Sequence, residues 1–240
     1  MKIIQDTCDP LERVGTVTND DAYTEAKFPE DAGNSALQKA DYQGALDFFY
    51  KAQEKYRQIG DGQKEADQWN KIAHCLLNTN KPDEALEAME ATIRLLQKTG
   101  NRTSQAKALN NMGLLNSRLK RFDNALTCFQ DALDLFDLLG NKFGMATQLG
   151  NIGTVYRDQA AHKKALDFYF DAISIFEEIG AKPGRADQSA NIGYAYAMDD
   201  KPEEALKWFH KALLLYEELK KADLAEQTRQ NIVNLTAGRT

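Results

Sequence analysis

The stretch LGNIGTVYRDQAAHKKALDFYFDA, residues 149–172, decides the fold. Its apolar residues fall first at Leu149, Ile152, Gly153 and Tyr156, the i, i+3, i+4, i+7 spacing of one helix face. A second run opens at Ala165 and Leu166 and continues through Tyr169, Ala172, Ile173 and Phe176. Two amphipathic helices joined by a short turn are the direct reading.

Working outward, the Ala-Leu pair of this stretch recurs at 45–46, 85–86, 125–126, 165–166 and 205–206, a spacing of 40 residues kept without slippage. Other columns hold the same period. Four residues after each alanine stands Phe49, Met89, Phe129, Tyr169 or Phe209, and then a small residue, Ala52, Thr92, Ala132, Ala172 or Ala212. Gly60, Gly100, Gly140 and Gly180 close the blocks, with Lys220 as the exception. A glycine there supplies the left-handed residue that ends a helix, and Asp61, Asn101 and Asn141 after it suit the start of the next. Polar breaks inside the blocks (Asn80-Lys81-Pro82, Lys120-Arg121-Phe122, Asp200-Lys201-Pro202) separate the helices, with Pro82 and Pro202 fit for a first helical position. Small residues at Gly113, Gly153 and Gly193 on first helices and Ala125, Ala165 and Ala205 on second helices let the pairs approach. The rings of Phe129 and Phe136, or Tyr169 and Phe176, then fill the space to the next block. One pair alone would leave that face wet, so the blocks must stack.

Composition limits function. The chain of 240 residues is 42% hydrophobic and 28% charged, which excludes wholesale disorder, and its formal charge of -6 argues against a nucleic-acid binder. Cys8, Cys75 and Cys128 form no CxxC pair, so neither a disulfide framework nor a zinc site is indicated. The first residues, MKIIQDTCDPLERVG, lack a signal-peptide apolar core, and no run approaches a membrane span. A cytoplasmic protein is the expectation. The acidity concentrates at one end: residues 1–40 hold four basic and eight acidic groups, a net of -4, leaving -2 for the rest.

The order Trp69, Ile72, Ala73, Leu76, Ala85, Met89, repeated as Leu149, Ile152, Gly153, Tyr156, Ala165, Tyr169, Ala172, resembles the tetratricopeptide repeat. The resemblance covers roughly residues 29 to 237, with units of 40 residues where the usual length is 34. Such longer units with Asn-Ile-Gly or Asn-Met-Gly are similar to those of kinesin light chains and of bacterial peptide-sensing regulators. The resemblance implies an all-α fold, an α-α superhelix of antiparallel helix pairs, with a concave groove lined by the first helix of each unit. It divides the chain into an N-terminal arm at 1–28, mobile or loosely docked, five units at about 29–60, 61–100, 101–140, 141–180 and 181–221, and a capping helix with its tail at 222–240. Pro29 stands where the family has a large apolar residue, so the first helix is expected to be short, starting near Pro29. The closing helix is expected from Ala222 to about Ala237.

On the first helices, positions spaced 4, 3 and 4 apart share the face away from the packing stripe. One such column is Lys71, Asn111, Asn151, Asn191, Asn231. A carboxamide both donates and accepts, so a ladder of them can hold the backbone of an extended peptide, as similar asparagines do in the related families. The same residues could instead bond neighbouring helices and set the stacking angle. His74, Lys107, Asn110, Arg118, Arg157 and Tyr194 join the binding set on this face, which is mildly cationic over the middle blocks, while second helices expose Asp131, Asp134, Asp167 and Asp171. A cationic groove would select an acidic or carboxylate-bearing segment. The clamp that related domains use for chaperone tails is disrupted by Asn70, His74 and Thr147.

Catalytic residues are not expected. His74 and Cys75 are adjacent, and adjacent helical residues point about 100° apart. Cys75 falls in an apolar column with Leu115, Val155 and Ala195, and Cys128 in a packing column with Phe168 and Trp208. His162 and His210 lie apart in repeat phase, and no phosphate-loop, zinc-protease or nucleophile-elbow motif occurs. The sequence thus points to a non-catalytic adaptor binding a protein or peptide segment, with no cofactor, metal, nucleic acid or membrane insertion. The alternatives are a self-assembling scaffold forming a homo-oligomer and a signalling regulator controlled by a bound peptide.

Overall fold

The computed structural model describes residues 19–237, and among them eleven helices and no strand. They are α1 (Asn19–Gln38), α2 (Tyr42–Ile59), α3 (Gly62–Asn78), α4 (Pro82–Lys98), α5 (Arg102–Arg118), α6 (Phe122–Leu138), α7 (Lys142–Asp158), α8 (His162–Glu178), α9 (Lys182–Met198), α10 (Pro202–Glu218) and α11 (Ala222–Ala237). The chain divides into two compact units, one ending at Lys81 and holding α1–α3, the other starting at Pro82 and holding α4–α11. The 40-residue register runs unchanged through this division.

Within each unit, turns of two or three residues join consecutive helices and fold each one back on its predecessor. One residue of each takes the left-handed conformation, and these residues fall every 20 positions from 40 to 220. Gly60, Gly100, Gly140 and Gly180 do so without a Cβ penalty, as expected. The turns inside the blocks use Ala40, Asn80, Lys120, Ala160 and Asp200, and Lys220 keeps the conformation at φ 55° where glycine is missing. After α6, Gly140 N–H donates to Asp137 O and Asn141 N–H to Phe136 O; after α5, Lys120 and Arg121 donate to Ser117 and Asn116 in the same pattern. Satisfying the last helical carbonyls in this way holds a non-glycine residue in a conformation it otherwise avoids. At the helix starts, Asp61, Asn101 and Asn141 accept from the backbone N–H three residues on, as expected, and Asp41 does the same.

Glycine lets the pairs close. A Cβ on Gly153 would meet the Tyr169 ring at 2.7 Å and the Ala165 carbonyl at 3.1 Å, and the same clash recurs for Gly113 on Phe129, Gly193 on Phe209 and, in the first unit, Gly33 on Phe49. Phe129, Tyr169 and Phe209 are accordingly buried. The step from one pair to the next repeats the device, with Gly144 against Phe136 and Gly184 against Phe176. In the larger unit α5, α7 and α9 pack on α6, α8 and α10 respectively, α11 packs on α10, and the first helices α5, α7 and α9 are neighbours in turn.

One expectation fails. The first helix begins at Asn19, not near Pro29, so residues 19–28 of the expected arm are helix; residues 1–18 lie outside the described residues. Pro29 inside a helix forfeits the bond to the carbonyl four residues earlier and ordinarily costs about 3 kcal/mol. Here Pro29 is buried, and the turns before it are tied down on α2 and α3: Ala26 packs with Ala52 and Tyr56, and Tyr23 O–H donates to Asp61 at 2.8 Å. At the other end α11 spans Ala222–Ala237, as expected, with Ala225 and Thr228 buried.

Candidate functional site

The expected binding residues fall into two groups. Lys71 and His74 lie on α3 of the first unit; Lys107, Asn110, Asn111, Arg118, Asn151, Arg157, Asn191, Tyr194 and Asn231 lie on α5, α7, α9 and α11 of the second.

In the first unit Lys71 is engaged. Its ammonium pairs with Glu30 at 2.7 Å and lies 5.3 Å from the centre of the Phe49 ring. Glu30 also accepts from Tyr56 O–H at 2.7 Å. Burial pushes the Glu30 carboxyl up, but the hydrogen bonds from Lys71 and Tyr56, with the Lys71 charge, outweigh it and hold the group at about 2. Lys71 therefore fastens α3 to α1. His74 is exposed, with Asn78 Nδ2 at 3.3 Å from its Nε2 and Tyr42 edge-on at 6.1 Å.

In the second unit the asparagine column is partly consumed by stacking. Asn151 donates to Asn110 Oδ1 of the preceding first helix at 3.0 Å, and Asn110 donates to Asn111 at 3.3 Å. The Lys71–Glu30 and Asn151–Asn110 pairs occupy the same register, 41 residues apart. For Asn191 that register holds Gly150, where a Cβ would meet Gln188 at 2.6 Å, and Asn191 turns to Gln188 Oε1 on its own helix at 3.4 Å. Asn231 donates to Tyr194 O–H at 2.7 Å, while the Tyr194 ring packs edge-on against Phe209. Each bond uses one of several hydrogen-bonding positions on a carboxamide, so capacity remains.

The cations on this face are unequal. Arg157 is folded onto Asp158 at 2.8 Å, whereas Lys107 and Arg118 are exposed on α5 with Asn111 between them. On α9, Asp187 accepts from Tyr216 O–H at 2.9 Å, and burial holds its carboxyl above the usual range. The free positive charge is thus concentrated on α5. The column one residue before the asparagines, Glu30, Asn110 and Gly150, decides how each asparagine is used; its signal in the sequence was the 41-residue offset.

The cysteines are packed as expected. Cys75 and Cys128 are buried, burial raises both thiols, and Asp131 and Glu90 add to the effect at Cys128, which stands at about 11. Thiols so raised are poor nucleophiles at neutral pH. Among the described residues no three His, Cys, Asp or Glu side chains converge to hold a metal ion, and no helix is long and apolar enough to cross a membrane.

Residues 104–178 and 186–219 match family models of the tetratricopeptide repeat. No curated protein matches the chain by sequence. Among solved structures it is similar to MamA, at 25% identity over 79% of this chain and 96% of that one with a TM-score of 0.59. Aspartyl phosphate phosphatase F from Bacillus subtilis is 18% identical over 87% of this chain and 55% of that one, with a TM-score of 0.73. The nearly identical TPR-like repeats of a putative kinesin light chain from Podosopora anserina align at 10% identity over 84% and 98%, with a TM-score of 0.65. These likenesses concern the helix-pair fold.

Proposed function

Because this chain is a tetratricopeptide-repeat protein, we propose that it is a non-catalytic adaptor whose first-helix face in the second unit binds an extended peptide or protein segment. The observation that carries the reading is the set Lys107, Asn111 and Arg118, exposed together on one face of α5, beside the Asn151 amide of α7. Positions four, three and four apart share a helix face, so the three groups reach a ligand from one side. The Asn111 carboxamide pairs with a ligand peptide group, and the two cations take acidic side chains or a terminal carboxylate through charge-assisted bonds. Asn191 and Tyr194 extend the same surface onto α9. The helices of the first unit serve the fold through the Glu30–Lys71 anchor, and the chain performs no chemistry of its own.

A phage-displayed random peptide library panned against the protein tests this. The expected result is enrichment of peptides rich in Asp and Glu, whose binding falls about ten-fold or more in a Lys107→Ala/Asn111→Ala/Arg118→Ala variant, roughly the loss of one to two charge-assisted bonds. Enriched peptides that bind this variant as well as the parent protein would overturn the reading.

A further inference from the structure

The second helices carry a feature that the first-helix face does not absorb. The column Phe48, Ala88, Cys128, Phe168, Trp208 is large at its two ends and small at positions 88 and 128. Where it is large, rings fill the surface: Phe168 stacks on Tyr156 at 5.4 Å, and Trp208 lies edge-on to Phe170 at 5.5 Å. Beside the small Cys128, a cleft of about 460 Å³ opens between α4, α5 and α6.

Leu86, Leu109 and Met112 form the apolar side of this cleft, and Glu87, Glu90 and Asp131 its acidic side. With each residue turning the helix about 100°, Leu109 and Met112 lie on the side of α5 roughly opposite Lys107, Asn111 and Arg118. Arg121 closes one edge by pairing with Asp83 at 2.6 Å. Neither Glu87 nor Asp131 pairs with a cation among the described residues, and Glu90 reaches only Arg94 on its own helix at 3.4 Å. Partial burial and the neighbouring Asp134 push the Asp131 carboxyl up, as expected for an anion short of compensating charge.

We infer that this cleft docks a basic segment of a partner protein, one Lys or Arg side chain lying along Leu86, Leu109 and Met112 with its charged end among Glu87, Glu90 and Asp131. A long aliphatic stem carrying a cation matches both sides of the cleft at once, burying methylenes on the apolar side and meeting the carboxylates with the head group. The space is of the kind that aromatic side chains of the same column fill in the later blocks. This surface is separate from the one proposed for acidic ligands, and the two readings stand or fall independently.

The test uses the full chain and a dye-labelled heptapeptide, acetyl-Ala-Arg-Ala-Ala-Ala-Arg-Ala-amide, with fluorescence anisotropy as the readout. The expected result is that Glu87→Gln/Asp131→Asn weakens binding about ten-fold, near 1.4 kcal/mol. Asp167→Asn/Asp171→Asn, an equal loss of charge on α8, changes it less than about two-fold, within the small effects of exposed charges. Cys128→Phe, which fills the cleft, also abolishes binding if it folds; the isosteric double variant decides the matter if it does not. Equal losses in both double variants would mean general attraction to an acidic surface and overturn the proposal, as would loss on Lys107→Ala/Asn111→Ala. Spermidine competing with the peptide at micromolar concentration, with the same variant profile, would assign the cleft to a free polyamine and overturn a protein segment as its occupant.

Discussion

Two places in this molecule solve the same geometric problem with different chemistry. In the first unit, Lys71 of α3 reaches Glu30 of α1 as an ion pair; in the second, Asn151 of α7 reaches Asn110 of α5 as a pair of amides, in the same register. The ion pair is largely shielded, with side chains 25% and 13% exposed, and it is locked further by Tyr56. It fixes a terminal helix firmly and leaves little capacity for anything else. The amide pair holds two helices with one modest bond and keeps hydrogen-bonding positions free. A repeat array can thus spend one column on fastening its end and keep the equivalent column nearer the middle available for a ligand.

The largest expected effect lies in the first unit. Lys71→Met removes the cation and leaves Glu30 shielded with Tyr56 alone, a loss of about 3 kcal/mol, near the lower end for breaking a buried pair. Converting the pair to amides, Glu30→Asn with Lys71→Asn, should recover at least half of that. Hydrogen exchange of α1 and α3 amides measures both. If the double variant is no better than the single one, charge is not what distinguishes the two places.

Next comes packing that the two units share. Gly153→Ala drives a Cβ into the Tyr169 ring and should cost about 2 kcal/mol by urea denaturation, within the range for overpacking. The second block shows a way out in sequence: the column that holds glycine in the other blocks has Ala73 there, and the aromatic column has Met89. Gly153→Ala/Tyr169→Met should therefore be more stable than Gly153→Ala alone. Additive losses would mean that the two columns vary independently.

Acid should separate the units. The Glu30 carboxyl is lowered from 4.5 in the free group to about 2 when folded, so the unfolded chain binds this proton more readily. Its contribution, about 2 kcal/mol after allowance for partial exposure, is fully present above pH 4.5 and lost as pH falls through the folded value. Exchange protection of α1 should fall between pH 5 and pH 2 by more than that of α7 and α8, and Glu30→Gln should remove the difference. Parallel losses in the parent protein would show that Glu30 does not govern the anchor.

The amide pair gives a smaller number. Asn151→Ala should cost about 1 kcal/mol, one ordinary hydrogen bond, and Asn110→Ala about the same, with the double variant costing less than the sum. Additive losses would mean that the two residues do not act as a pair.

The helices, their period and the small residues at which the pairs close were legible in the sequence because each depends on residues within one block or at a fixed offset; that the Phe129, Tyr169 and Phe209 rings lie on the glycines of their own pair was not read there. The start of α1 was not. Reading Pro29 as a boundary uses local backbone chemistry, whereas what extends the helix to Asn19 is distant: Tyr23 to Asp61, Ala26 to Tyr56 and Glu30 to Lys71. The asparagine column was visible, but its division into bonded and available members depends on the neighbouring column, where Asn110 accepts a bond and Gly150 offers none. The cleft beside Cys128 escaped notice because a small residue in a packing column reads as core, and only the surrounding helices show that space remains outside it.

The smallest expected effect tests the turns, where block ends and block middles differ. Gly140 and Ala160 adopt the same left-handed backbone, at φ 64° and 59°, but only alanine carries a Cβ there. The cost of that Cβ is about 1 kcal/mol, and glycine returns part of it as extra freedom in the unfolded chain. Ala160→Gly should therefore stabilise the protein by about 0.5 kcal/mol, and Lys220→Gly by a similar amount, since Lys220 is exposed and stands where the other blocks have glycine. Gly140→Ala should do the reverse. Thermal unfolding of the three variants resolves the sign. Ala160→Gly lowering the midpoint would mean that the mid-block turns owe their shape to more than the bonds that Ala160 and Ala161 N–H donate to the end of α7, at 2.9 Å each, and that the two kinds of turn are not equivalent.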